Sequence, residues 1–156
     1  MVQRIGVAQA LINDPKIVIL DEPTAGLDPK ERIRFRNLLS EISKGRTVIL
    51  ATHIVSDVEY IANKVILLNK GKIIRSGTPH ELMNSIDGKV WEYIVKAENI
   101  ENYITKFDIS NAYREKDIYK LRIVSQERPA SEAKNISPNL EDVFLYYCVG
   151  SDKVGE

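Results

Sequence analysis

The feature that most constrains this chain is a short apolar run ending in two acids, Ile17-Val18-Ile19-Leu20-Asp21-Glu22-Pro23. Residues 17–20 are rich in β-branched side chains and show no alternation, the pattern of a strand buried on both faces of a parallel sheet. Ligands of open α/β sheets bind in the crevice beyond the carboxyl ends of the strands, which is where Asp21 and Glu22 fall. Successive strand side chains point opposite ways, so the two acids need not share a role. One can hold Mg²⁺, a hard cation that takes oxygen ligands and keeps several waters. The other can act as a general base on an attacking water, worth roughly 10² to 10⁴ in rate. Read from these residues alone, two solvated carboxylates at a strand-to-turn junction are an equal alternative.

The segments that follow extend the pattern. Asp28, Pro29 and Glu31 read as an N-cap, a proline at the first helical position and a capping-box acid. The predicted helix buries Phe35, Leu38, Leu39 and Ile42, and Gly45 lies just past its end. Residues 47–51 form a second continuous apolar strand, with Thr52-His53 at its carboxyl end. A single strand-helix-strand crossover returns a parallel strand beside the first, so Glu22 and His53 are expected to lie close together. A structural role is the ordinary one for a lone histidine at a strand end. Upstream, residues 2–13 place Ile5, Ala8, Leu11 and Ile12 on one helical face, and Pro15 ends that helix.

Composition narrows the function. Lys plus Arg and Asp plus Glu both number 22, so the formal net charge is zero and the basic stripe expected of a nucleic-acid binder is missing. The single cysteine, Cys148, excludes an internal disulfide and a cysteine-based zinc cluster, and reads as a small buried hydrophobe. Apolar runs of four or five residues fall far short of the ~20 that span a bilayer, and no signal-peptide pattern is present, which predicts a soluble, intracellular chain.

Residues 17–29, an apolar strand followed by Asp-Glu-Pro-Thr-Ala-Gly-Leu-Asp-Pro, resemble without a gap the Walker B motif and D-loop of ATP-binding cassette (ABC) ATPases. Residues 3–11, Gln-Arg-Ile-Gly-Val-Ala-Gln-Ala-Leu, are similar to the stretch that follows the signature glycines in that family, and His53 resembles its H-loop histidine. The resemblance covers residues 1 to about 86. It implies that Asp21 anchors Mg²⁺, that Glu22 is the base acting on water, and that His53 contacts the γ-phosphate and orients Glu22. It further implies that Asp28 lies at a nucleotide-bridged dimer interface, and that Asp28 and Gln3 are the nucleotide-binding residues contributed here. The sequence contains no Gly-x-x-x-x-Gly-Lys-Ser/Thr loop, Q-loop or signature Leu-Ser-Gly-Gly, and its eight glycines are scattered. Without the backbone N–H groups and lysine of that loop, nothing here cradles a triphosphate. The expectation is therefore the carboxy-terminal half of a nucleotide-binding subunit: a partial parallel-sheet P-loop NTPase core lacking the P-loop strand, over residues 1–88.

Residues 64–68 and 72–75 read as strands joined by the hairpin signal Asn69-Lys70-Gly71. Thr78 and Glu81 form another capping box, leaving His80 as an exposed first-turn residue. A helix is expected over residues 56–62, with Val58, Ile61 and Ala62 buried. From Gly88 the character changes, and residues 89–156 are expected to form a small α+β accessory domain. There Trp91, Tyr93 and Val95 alternate as in a half-buried strand, and Ile100, Tyr103, Ile104 and Phe107 form a helical stripe. Residues 110–114 and 118–125 read as a hairpin placing Tyr119, Leu121 and Ile123 on one face. A polar loop, 126–138, leads to a last helix burying Leu140, Val143, Phe144 and Tyr147, and residues 151–156 read as a disordered tail. The ending Ser-Pro-Asn-Leu-Glu-Asp-Val-Phe-Leu is similar to the tail of subunits serving ABC-2 type exporters, including drug and antibiotic-resistance pumps.

The resemblance thus implies an ATPase subunit of an exporter, using ATP and Mg²⁺. Its partners would be a second nucleotide-binding subunit in a homodimer and an integral membrane permease, at the cytoplasmic face of the membrane. The 156-residue chain alone is expected to be inactive. Alternatives are a catalytically inactive remnant that docks with a partner, and an ABC ATPase without a permease.

Overall fold

The computed structural model describes residues 2–149, with the side chains of residues 5–149. Two compact units divide at Met1–Ile61 and Ala62–Glu156. The hairpin Val65–Gly77 and the helix Pro79–Asn84 fall within the second unit. The reason is packing: the helix Pro79–Asn84 meets the helix Leu140–Phe144, and Tyr147 Oη donates to Ser85 Oγ at 3.1 Å.

In the first unit, helix α1 (Val2–Leu11) leads into strand β1 (Ile17–Asp21), and helix α2 (Pro29–Ile42) returns the chain to β2 (Thr47–Ala51), followed by α3 (Val55–Ile61). β1 and β2 pair in parallel from Ile17 opposite Thr47 to Asp21 opposite Ala51. Val7, Val18, Leu20, Phe35 and Leu39 form the core, with Leu11, Leu27, Ile42, Val48, Leu50 and Ile61 packed around it. All of these helices cover the same sheet face. β1 therefore alternates instead of being buried on both sides: Val18 and Leu20 are buried, while Ile17 and Ile19 are 59% and 69% exposed. An apolar run reports the burial a strand is built for, and the described residues of this unit supply only one covering layer.

Three helical expectations are corrected by the same one-sided core. Among the described side chains of α1 the buried one is Val7, with Ile5 and Ala8 exposed and Ile12, just past the helix, exposed as well. On α2 Phe35 and Leu39 are buried as expected, but Leu38 points outward. On α3 the fully buried residue is Asp57, and Val58 is only partly covered. At the start of α2, Asp28 Oδ1 accepts from Glu31 N–H at 2.8 Å, whereas the Glu31 carboxylate takes Arg34 Nη1 at 2.9 Å.

The second unit begins with an antiparallel hairpin, β3 (Val65–Asn69) and β4 (Lys72–Gly77). Its turn residues Lys70 and Gly71 both have positive φ, the conformation of a tight two-residue hairpin loop. Helix α4 (Pro79–Asn84) carries the complete Thr78–Glu81 capping box, and His80 is exposed at its first turn. Strands β5 (Val90–Lys96), β6 (Asp108–Glu115), β7 (Ile118–Val124) and β8 (Lys134–Asn135) form one antiparallel sheet in the order β6-β7-β5-β8. Val95, Leu121 and Ile123 pack on this face beneath Ile100, Tyr103 and Phe107 from the α5 region (Ile100–Ile104 and beyond). Ile104 departs from its predicted stripe and is 54% exposed. Helix α6 (Leu140–Phe144) buries Leu140 and Val143 but leaves Phe144 partly exposed; a π-helical turn, Leu145–Val149, continues it with Cys148 buried. The expected tail, residues 151–156, lies outside the described residues.

An ionic lock fixes α6. Asp142, fully buried, receives Arg122 Nη2 at 2.6 Å, Ser110 Oγ at 2.6 Å and the Asn139 N–H at 2.8 Å, while Arg122 also donates to Ser137 O at 2.6 Å. Removing one partner of a buried, hydrogen-bonded pair strands the other. Asp142→Ala is expected to destabilise this unit by about 3–5 kcal/mol. Denaturant unfolding followed by fluorescence of Trp91, the only tryptophan, measures it.

Candidate functional site

The carboxyl ends of β1 and β2 lie side by side, and the ladder continues one step past them: Glu22 N–H donates to Ala51 O at 2.8 Å. Glu22 then turns out of the strand at φ 43°, in the left-handed region that costs an L-residue roughly 1–2 kcal/mol. Gly26, at φ 73°, gives the loop its second left-handed step. Ala25 N–H closes back on Glu22 O at 3.1 Å, and Leu27 N–H on Thr24 O at 3.2 Å, so a compact turn delivers the chain to the Asp28 cap.

The Glu22 carboxylate is held from three sides. Oε1 accepts the His53 backbone N–H at 2.9 Å and lies 2.6 Å from His53 Nδ1, and Oε2 accepts from Thr52 Oγ1 at 3.0 Å. Thr52 Oγ1 also accepts from Ile54 N–H at 3.0 Å, closing the loop that begins α3. The Glu22 side chain is 34% exposed and that of His53 is 79% exposed, so the pair opens to solvent. The hydrogen bond from His53 does most to hold the Glu22 carboxyl below its ordinary value. Partial burial opposes it, and the His53 N–H and Thr52 hydroxyl add to it.

The structure thus brings Glu22 and His53 together, as the crossover argument anticipates. Asp21 sits one residue earlier, on the exposed face that carries Ile17 and Ile19, opposite Ala51. Among the described residues no cluster of three or more His, Cys, Asp or Glu is poised to hold a metal. A lone exposed carboxylate at a strand end suits Mg²⁺, which draws most of its ligands from water and phosphate oxygens. Asp28 is exposed and serves as the α2 cap. Gln3 lies on α1, and its side chain is outside the described residues. Thr52 is the partner that sequence reasoning passed over. Its position beside His53 at the end of an apolar strand was the available signal.

Because the folded-state pKa of Glu22 lies below its unfolded value, the stabilisation from this pairing is complete above the unfolded value and is lost as pH falls through the folded one. Carboxyl ¹³C titration is expected to place the Glu22 midpoint below 4.5, with His53→Ala returning it towards that ordinary value.

A protein-family model described as "AAA domain, putative AbiEii toxin, Type IV TA system" matches residues 2–56. An uncharacterized ABC transporter ATP-binding protein of Synechocystis is 34% identical over 157 residues, covering 93% of this chain and 43% of that protein. The Nod factor export ATP-binding protein I of Rhizobium etli is also 34% identical, covering 93% of this chain and 49% of the relative. An energy-coupling factor transporter ATP-binding protein of Methanococcus maripaludis is 48% identical over 83 residues, 53% of this chain and 30% of the relative. The chain spans about half the length of the curated relatives that match most of it. By these relationships the chain is homologous, over 93% of its length, to ATP-binding proteins of ABC transporters.

Proposed function

We propose that this chain supplies one wall of the ATP-hydrolysing site in the ATP-binding subunit of an ABC exporter. The observation that carries the reading is the Glu22–His53 pair, 2.6 Å apart at the carboxyl ends of two parallel strands. A carboxylate so placed can accept a proton from water, while the imidazole and Thr52 fix its direction. Asp21 is the residue that would hold Mg²⁺, and Asp28 and Gln3 would face the nucleotide across a subunit interface. Bound Mg²⁺ would neutralise charge on the phosphates. The chain's own residues would then orient water in line with the γ-phosphate.

The partners in this reading are a second ATP-binding subunit and a membrane permease at the cytoplasmic face. Among the described residues no helix is long and apolar enough to cross a membrane, so transport itself would require that permease. The exporter assignment is supported by the resemblance of the ending, and by a Nod factor export protein among the relatives that cover 93% of the chain. The cradle for the triphosphate would come from a Gly-x-x-x-x-Gly-Lys-Ser/Thr loop, which the 156 residues do not contain. The chain by itself is therefore read as inactive.

In an ATP-binding subunit carrying this sequence, Glu22→Gln is expected to keep ATP binding and lose roughly 10² to 10⁴ of turnover, measured as phosphate release. Undiminished turnover would remove Glu22 from the role. Equilibrium binding of labelled ATP to the 156-residue chain is expected to show no affinity tighter than millimolar, and tight binding there would show that the missing loop is not required.

A further inference from the structure

Asp57 is the fully buried residue of α3, and neither of its carboxylate oxygens makes a hydrogen bond within the described residues. Two guanidinium groups face it from α2: Arg32 Nε lies 4.0 Å from Oδ2, and Arg36 Nη1 lies 3.8 Å from Oδ1. Arg32 and Arg36 are one helical turn apart and so present both charges on one face. Arg36 also stacks over the Tyr60 ring, 4.6 Å from its centroid, and so touches α3 again one turn further on.

A first-turn acid favours a helix N-terminus, but an exposed one does so without the cost of burying a charge. Buried ion pairs of loose geometry contribute little net stability, and apolar residues of similar volume often serve better. What such a pair does supply is a preferred mutual placement of the two elements that bear it. Here those elements are the two arms of the site. α2 starts directly after the turn that begins at Glu22, and α3 starts two residues after His53. Asp57 N–H donates to Ile54 O at 3.1 Å, and Ile54 N–H reaches Thr52 Oγ1, so a short hydrogen-bonded path joins Asp57 to the Glu22 contacts.

We propose that Asp57 is a positioning residue: placed between Arg32 and Arg36, it biases the start of α3 towards one placement on α2 and thereby the approach of His53 to Glu22. Its importance for hydrolysis rests on the function proposed above, whereas the placement of His53 does not.

Amide hydrogen exchange by NMR on the 156-residue chain tests the placement without reading hydrolysis. In Asp57→Asn, the His53 N–H that donates to Glu22 is expected to lose about ten-fold in protection, while Leu50 and Leu39 keep theirs. Arg36→Lys, which retains the charge, is expected to preserve the His53 protection. Arg36→Met, which leaves Asp57 with Arg32 alone, is expected to reproduce the local loss and carries the test should Asp57→Asn fail to fold. Unchanged His53 exchange in both Asp57→Asn and Arg36→Met overturns the proposal. So does a loss spread evenly over His53, Leu39 and Leu50, which would make Asp57 merely structural. A turnover-competent Glu22→Gln subunit alongside selective exchange at His53 would instead sink the hydrolytic reading and leave the positioning intact.

Discussion

The first unit depends on the tie between Glu22 and the Thr52-His53 pair. Two parallel strands of five residues each are a weak sheet, paired as far as Asp21 and Ala51 with one further backbone bond from Glu22 N–H to Ala51 O. The carboxylate of Glu22 carries the connection beyond that end, using one backbone N–H, one hydroxyl and one ring nitrogen from the neighbouring strand's exit. Charge-assisted hydrogen bonds of this kind are roughly twice as strong as neutral ones. They can also offset the left-handed backbone at Glu22, whose φ of 43° costs an ordinary residue about 1–2 kcal/mol. Strain at a residue so fully engaged by its neighbours is a mark of a site whose geometry is specified rather than incidental.

Much of this was legible in the sequence, for physical reasons that can be named. The parallel pairing followed from two apolar runs separated by one helical period, because such a crossover has essentially one outcome. The Asp28 and Thr78 caps followed from short polar side chains placed three residues before an acid. The closeness of Glu22 and His53 followed from the same topology. Burial was less legible. Apolar content at Ile17, Ile19, Ile5 and Leu38 predicted contact, yet each is exposed, because hydrophobicity states what a side chain favours and not whether a second layer is present to cover it.

The converse case is Asp57. Nothing in the periodicity of α3 marks it as interior, and its neighbours Val58 and Ile61 were the natural candidates. It is buried because two arginines on α2 make an interior carboxylate tolerable, and that compensation is tertiary. Arg122 and Asp142 in the second unit repeat the lesson with better geometry: twenty residues apart in sequence, they meet through a strand and a helix whose pairing no local pattern encodes. Buried polar pairs of this kind are where sequence reasoning is blind and where the structure is most specific.

The two ion pairs differ in a way that bears on their roles. Asp142 is saturated with donors at 2.6–3.0 Å, so its network resists change and serves as a lock. Asp57 has only ion-pair distances of 3.8 and 4.0 Å and no direct hydrogen bond, an arrangement that biases helix placement without freezing it. If the site admits and releases a ligand as proposed, an element flanking it is better held by such a soft restraint, since a fully satisfied buried network rigidifies what it joins. On that argument the looseness of the Asp57 contacts fits their place beside the open Glu22–His53 pair, as the tightness of the Asp142 contacts fits a helix held in a packed core.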